Sequence, residues 1–159
     1  FEPVSGRSRS LPLRWHDGHV RTLVDDAYNA NPDSMRAAID VLAELPGPRL
    51  LVLGDMGEVG DQGPQFHAEA GVHARAAGIA QLFALGAQSA HAAQAYGPDA
   101  RYFEDMASLQ AAVQQALPAV GSVLVKGSRF MKMEQVVQAL EAGTQQAQPH
   151  TTQGGTACC

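Results

Sequence analysis

The sequence predicts an α/β fold, a doubly wound and mostly parallel sheet with helices on both faces. Three observations carry that prediction. Five short apolar runs are each followed by a helix-forming stretch. Leu50-Leu51-Val52-Leu53 is continuously apolar rather than alternating, the pattern of a strand covered on both sides. The unusual polar clusters fall where such strands end, on the sheet edge where α/β folds hold their ligands.

Residues 1–12 are rich in Pro, Gly, Ser and Arg and read as a connection between domains. Leu13 to Val20 reads as a hairpin whose Asp17-Gly18 turn feeds the first strand, Arg21 to Asp26. Asn31-Pro32-Asp33-Ser34 is a helix start. Asn31 can accept from a first-turn amide, Pro32 gives up no useful donor, and Asp33 complements the positive end of the dipole. Met35, Ile39, Leu42 and Leu45 then form one apolar stripe, stopped by Pro46-Gly47-Pro48. Leu50 to Leu53 is the second strand, entering the turn Gly54-Asp55-Met56-Gly57-Glu58-Val59-Gly60, and a helix follows from about Pro64 to Ala77. Leu82 to Leu85 precedes an Ala-rich helix through Ala95, and Arg101-Tyr102-Phe103 precedes a helix containing Leu109 and Val113. Val123-Leu124-Val125 ends at Lys126-Gly127-Ser128-Arg129, and Met133, Val136, Val137 and Leu140 mark the last helix. Residues 144–159 form a Gln/Thr/Gly tract with little apolar content, which predicts disorder, so the expected folded unit is 13–143. The chain starts at Phe1 rather than Met and is expected to be a piece of something longer.

Composition narrows the function. Eleven Lys and Arg against 16 Asp and Glu give a formal net charge of -5, which argues against nucleic acid as a partner. No apolar run is long enough to span a bilayer. Cys158 and Cys159 are adjacent and can frame neither a useful loop nor a zinc site, which points to a reducing compartment, the cytoplasm. The six histidines show no metal-binding spacing, and Ser128 lies in no nucleophile elbow. A phosphate-binding G-x-x-x-x-G-K-[ST] is missing, so this stretch is no self-sufficient P-loop ATPase.

Three clusters remain. Asp25-Asp26-Ala27-Tyr28-Asn29-Ala30-Asn31 joins a strand to a helix N-terminus, where amides meet anions, although a cap and solvated acids explain it equally well. Gly54-x-x-Gly57-x-x-Gly60 lacks the spacing of a dinucleotide fingerprint and fits glycines that supply turn geometry after a buried strand. Lys126 and Arg129 place two cations before a helix, where the dipole disfavours them, and Lys126 is one of only two lysines.

Taken together and in this order, the strings D-D-A-Y-N-A-N-P-D-S-M (25–35), L-G-D-M-G-E-V-G (53–60) and V-K-G-S-R (125–129) resemble the C-terminal domain of the Mur ligases, a Rossmann-like domain. The match is best to the branch of the family that adds D-Ala-D-Ala to UDP-MurNAc-tripeptide. The resemblance covers about residues 1–143. It implies a cytoplasmic step of peptidoglycan synthesis in which ATP activates the tripeptide carboxylate as an acyl phosphate and the dipeptide amine attacks it. It also implies that the P-loop and the Mg2+ ligands belong to a central ATPase domain whose end is residues 1–12. By the same resemblance Arg7, Asp25, Asp26, Asn29 and Asn31 are expected at ATP, and Lys126, Ser128 and Arg129 at the dipeptide or the tripeptide carboxylates. No catalytic or metal-ligating residue is assigned to this stretch, which is expected to be inactive alone. The alternatives are another amide-forming Mur-type ligase, an NAD-binding module using Gly54 to Gly60 and Asp55, and a non-catalytic interaction module.

Overall fold

The computed structural model of the chain describes residues 8–146. Six strands form one sheet: β1 (Arg9–Arg14), β2 (Val20–Asp26), β3 (Arg49–Gly54), β4 (Gln81–Leu85), β5 (Ala100–Phe103) and β6 (Ser122–Lys126). Their order is β1-β2-β6-β3-β4-β5, with β1 antiparallel to β2 and every other pairing parallel. Five helices complete the α/β fold: α1 (Pro32–Ala43), α2 (Gly63–Ala76), α3 (Ser89–Tyr96), α4 (Met106–Ala116) and α5 (Glu134–Gln146).

Period-two alternation along each strand sends successive side chains to opposite faces, so the sheet carries two apolar layers. On one face Val24, Leu51, Leu53, Leu82 and Leu124 pack against Ile39 and Leu42 of α1, Ala74 of α2 and Ala92 of α3. On the other, Leu23, Leu50, Val52, Phe83 and Val123 pack against Leu109 and Val113 of α4 and Val136 and Leu140 of α5. The direction of travel explains the division. From β2 through β5 the chain crosses the sheet one way over α1, α2 and α3, and α4 carries it back to β6. Right-handed crossovers then require opposite faces for the two directions.

The return places β6 between β2 and β3. Helix α5, which follows β6, lies on the opposite face from α1 and α2, which follow β2 and β3. The carboxyl ends of β2, β6 and β3 therefore border the switch point of a doubly wound sheet, the edge at which such folds hold a ligand crevice.

Several boundaries differ from the sequence reading. The hairpin is present, with Gly18 at φ 87 in its turn, but its first strand starts at Arg9 and is hydrogen-bonded to the sheet edge within the expected linker. Residues 9–12 thus have a ladder partner that composition does not reveal. Helix α1 ends at Ala43, before Leu45. Helix α5 continues to Gln146, past the expected end of the fold at 143. The remaining tail and Arg7 lie outside the described residues. Asn31 is the N-cap of α1, its Oδ1 accepting from the Ser34 amide at 2.8 Å, and the Ser34 hydroxyl accepts from the Asn31 amide at 3.0 Å.

Candidate functional site

Three loops meet at the crevice: residues 27–31 after β2, 55–60 after β3 and 127–133 after β6. Asp26 and Lys126 are register partners on neighbouring parallel strands, so their side chains emerge on the same face. Lys126 Nζ donates to Asp26 Oδ2 at 2.8 Å and to the Asn29 carbonyl at 2.9 Å. The lysine is 1% exposed, and a charge so deep persists only when paired. Its ammonium thus braces the loop that leaves β2. Asp25, one residue back and on the other face, accepts from Arg9 Nη2 at 2.7 Å across the β1–β2 pair, which pushes the arginine pKa up. Asp25 Oδ1 is buried without a hydrogen-bond partner among the described residues.

Ser128 ties the three loops together. Its Oγ accepts from the Gly57 amide at 2.6 Å and donates to the Ala30 carbonyl at 3.3 Å, while its own amide donates to the Asp55 carbonyl at 3.0 Å. The 55–60 loop has two further anchors. The buried Asp55 carboxylate accepts from the Ser89 amide at 2.8 Å, the Ser89 hydroxyl at 2.7 Å and the Gln88 amide at 3.2 Å, so it caps the positive end of α3. That commitment removes Asp55 as the ribose-binding acid of an NAD module. His67 of α2 is fully buried; its Nε2 accepts from the Met56 amide at 2.9 Å and its Nδ1–H donates to the Gly63 carbonyl at 2.7 Å.

The glycines of this loop do less for turn geometry than the sequence suggests. Positive φ falls on Glu58 (59) and Gly60 (64), not on Gly54 or Gly57. What Gly54 and Gly57 supply is clearance. A Cβ at Gly54 would lie 2.8 Å from Met133 Sδ, and one at Gly57 would lie 2.8 Å from the Phe130 ring.

Burial pushes the His67 pKa down from its usual 6.5, and the protonated ring would have no lone pair left for the Met56 amide. The unfolded chain therefore takes up a proton more readily, and this part of the stability is present above pH 6.5 and lost as pH falls through the folded-state pKa. Asp17 and Asp105, held below 3.8 by Arg21 and Ser108 respectively, act at lower pH. We expect the urea midpoint to fall between about pH 7.5 and about pH 5.5, and to fall less in His67→Gln. An equal fall in both would contradict the neutral tautomer.

Of the residues expected at ligands, the structure joins Lys126 to Asp26 and to the Asn29 carbonyl, and ties Ser128 to the next residue of that loop, Ala30. Asn31 is engaged as a cap, Asp25 faces Arg9, and Arg129 is exposed in a 3-10 turn. His67 is a positioning residue that sequence reasoning missed, and Asp55, expected only as an acid of the NAD alternative, positions the loop instead. A signal existed for His67, which shares the α2 stripe with the buried Ala70, Gly71 and Ala74. Among the described residues no three His, Cys, Asp or Glu side chains gather to hold a metal ion, and no helix is long and apolar enough to cross a membrane.

A family model for the Mur ligase, glutamate ligase domain, matches residues 13–129. The chain belongs to the Mur ligase family. Among relatives of this Mur ligase domain, the UDP-N-acetylmuramoyl-tripeptide--D-alanyl-D-alanine ligase of Escherichia coli (strain K12) is 44% identical over 135 residues, covering 84% of this chain and 29% of the relative. The Bacillus subtilis (strain 168) enzyme of the same name is 35% identical over 126 residues, covering 75% and 28%. One crystal structure of MurF from Acinetobacter baumannii superimposes with a TM-score of 0.75 at 30% identity, covering 89% of this chain and 31% of that one. MurF ligase from Thermotoga maritima in complex with ADP gives a TM-score of 0.75 at 21% identity, covering 92% and 33%, a likeness of fold. This Mur ligase domain spans about a third of the length of the proteins it matches.

Proposed function

We propose that this chain is the C-terminal domain of an ATP-dependent ligase that joins D-Ala-D-Ala to UDP-MurNAc-tripeptide in the cytoplasm during peptidoglycan synthesis. The observation that carries the reading is the 44% identity to an enzyme of that name. The strings that resemble this branch also meet at one crevice, with Lys126 joined to Asp26 and Ser128 joined to both Gly57 and Ala30.

In this reaction the γ-phosphoryl group of ATP passes to the tripeptide carboxylate. The dipeptide amine then attacks the acyl carbon, phosphate leaves with the electron pair of the C–O bond, and the nitrogen loses a proton. Lys126 and Ser128 are committed to hydrogen bonds within the domain, so its part in this reading is to bind, orient and exclude water. Asp26 at the end of β2 and Asn29 in the loop after it face the nucleotide, with Asn31 fixing that loop to α1; Arg7, outside the described residues, approaches ATP from the connection. Lys126 and Ser128 hold the loops at fixed spacing, and Arg129 offers a guanidinium to a carboxylate. Mg2+ is expected in reactions of ATP, but the described residues offer no carboxylate cage for it. The metal and the P-loop belong to the preceding part of the protein.

The test is to incubate the full-length protein with ATP, UDP-MurNAc-tripeptide and D-Ala-D-Ala and follow phosphate release and product mass. We expect one dipeptide added per phosphate released, and no turnover by residues 1–159 alone. Ligation by the isolated chain, or a full-length protein that ignores D-Ala-D-Ala, would overturn the assignment.

A further inference from the structure

Because β1 runs antiparallel to β2, its first residue, Arg9, lies at the carboxyl edge of the sheet, the edge that also carries the crevice loops. Arg9 is the register partner of Asp25, and the next residue, Asp26, is the register partner of Lys126. The two acids point to opposite faces, and each meets a cation from a neighbouring strand. The place where the chain enters the sheet and the ion pair of the crevice are therefore one residue apart on β2.

The two pairs are unlike. Lys126 and Asp26 are buried together, whereas the Arg9 side chain is 54% exposed and that of Asp25 only 2%. Asp25 Oδ1 has no hydrogen-bond partner among the described residues, so the bond from Arg9 Nη2 to Oδ2 is what compensates a buried carboxylate. The buried acid thus holds a residue that could otherwise lie free in water. The hydrogen bond to Asp25 and its charge, with Glu141 of α5 adding attraction, keep the Arg9 pKa raised. Farther along β1, Leu11 and Leu13 are secured by packing in the layer under α4 and α5. Arg9 lies beyond that packing, and the ion pair carries the hold on the strand out to it.

We propose that Asp25 is a latch for the incoming chain: through Arg9 it fixes the point and direction at which the preceding part of the protein joins this domain, and with them the placement of the crevice. Asp25 is then a positioning residue and not a ligand of ATP, the role expected of it from the resemblance. Its effect on turnover rests on the ligase assignment above; the latch itself rests on the geometry alone. Losing the pair frees Arg9 and Ser10, which lengthens the connection and loosens its direction. Both lower the effective concentration of the crevice at a nucleotide held by the preceding part.

Limited trypsin digestion of the full-length protein tests the latch, because the protease must draw the Arg9 guanidinium away from Asp25 and the backbone around it out of the β1–β2 ladder. Asp25→Asn speeds cleavage after Arg9 about tenfold, the order of a lost charge-assisted bond, and leaves cleavage after Arg14, at the other end of the same strand, unchanged. Kinetics test the consequence. Asp25→Asn and Arg9→Gln each lower kcat/KM for ATP about threefold, and the double variant is no worse than either. Arg9→Lys, which keeps the charge and one donor, retains most of the rate. Equal acceleration after Arg9 and Arg14, the mark of a hairpin loosened throughout, or no acceleration after Arg9, overturns the latch. So does a loss of kcat/KM in Asp25→Asn that Arg9→Gln does not share, which would return Asp25 to the nucleotide. A wild-type protein that does not ligate D-Ala-D-Ala overturns the ligase assignment, and the trypsin result then decides the latch by itself.

Discussion

Replacing Lys126 with methionine lowers the stability of the chain by about 3 kcal/mol, the order expected when one member of a buried pair is removed. Methionine fills much of the lysine volume, so the loss is electrostatic rather than a cavity. It leaves the Asp26 carboxylate, 8% exposed, and the Asn29 carbonyl without the donor that satisfied them at 2.8 and 2.9 Å. For a chain of this length such a loss corresponds to a fall of roughly 10 °C in Tm. The control is the double variant Asp26→Asn/Lys126→Met, which removes both charges and recovers a large part of the loss. Thermal and urea unfolding of the wild type, both single variants and the double variant measure the coupling directly. If Lys126→Met costs less than about 0.5 kcal/mol, the pair behaves as a solvated surface bridge and the account of the crevice is wrong.

Gly71→Ala destabilises the chain by about 2 kcal/mol, even though alanine is the better helix former by nearly 1 kcal/mol. A Cβ at this position would lie 2.2 Å from the carbonyl oxygen of Ala92 and 3.0 Å from its carbon. Those atoms are backbone of α3 and cannot swing aside as a flexible side chain would. The two helices must separate, and the 55–60 loop moves with them, because α2 holds it through His67 and α3 through Ser89. In the full-length protein the proposed ligation should therefore fall with stability, and KM for the dipeptide should rise. A Gly71→Ala chain as stable as the wild type would show that α2 and α3 do not pack as closely as described.

The strands and helices were legible because each is written in a local pattern. Leu50 to Leu53 reads as a doubly covered strand without reference to anything distant, and β3 occupies Arg49–Gly54. Asn31-Pro32 reads as a helix start because the capping residue, the proline and the first turn are contiguous, and α1 begins at Pro32. The edge strand was misread for the converse reason. Composition marks 9–12 as a linker, and only the ladder with β2 makes those residues a strand.

The site divides in the same way. From sequence alone the chain shows an α/β fold, polar clusters at strand ends, and strings specific enough to place it beside the Mur ligases. It does not show how those clusters are shared out. Lys126 reads as an unaccounted cation before a helix until β6 is inserted between β2 and β3, which sets it beside an aspartate 100 positions away. Gly54 and Gly57 read as turn formers until Met133 and Phe130 arrive against them, and Asp55 reads as a ligand-binding acid until α3 presents its amides to it. Helix caps, strand runs and turns depend on neighbours a few residues apart, so the sequence determines them by itself. Ion pairs, close approaches and exposure depend on which strands become adjacent and in what register, and only tertiary packing decides that.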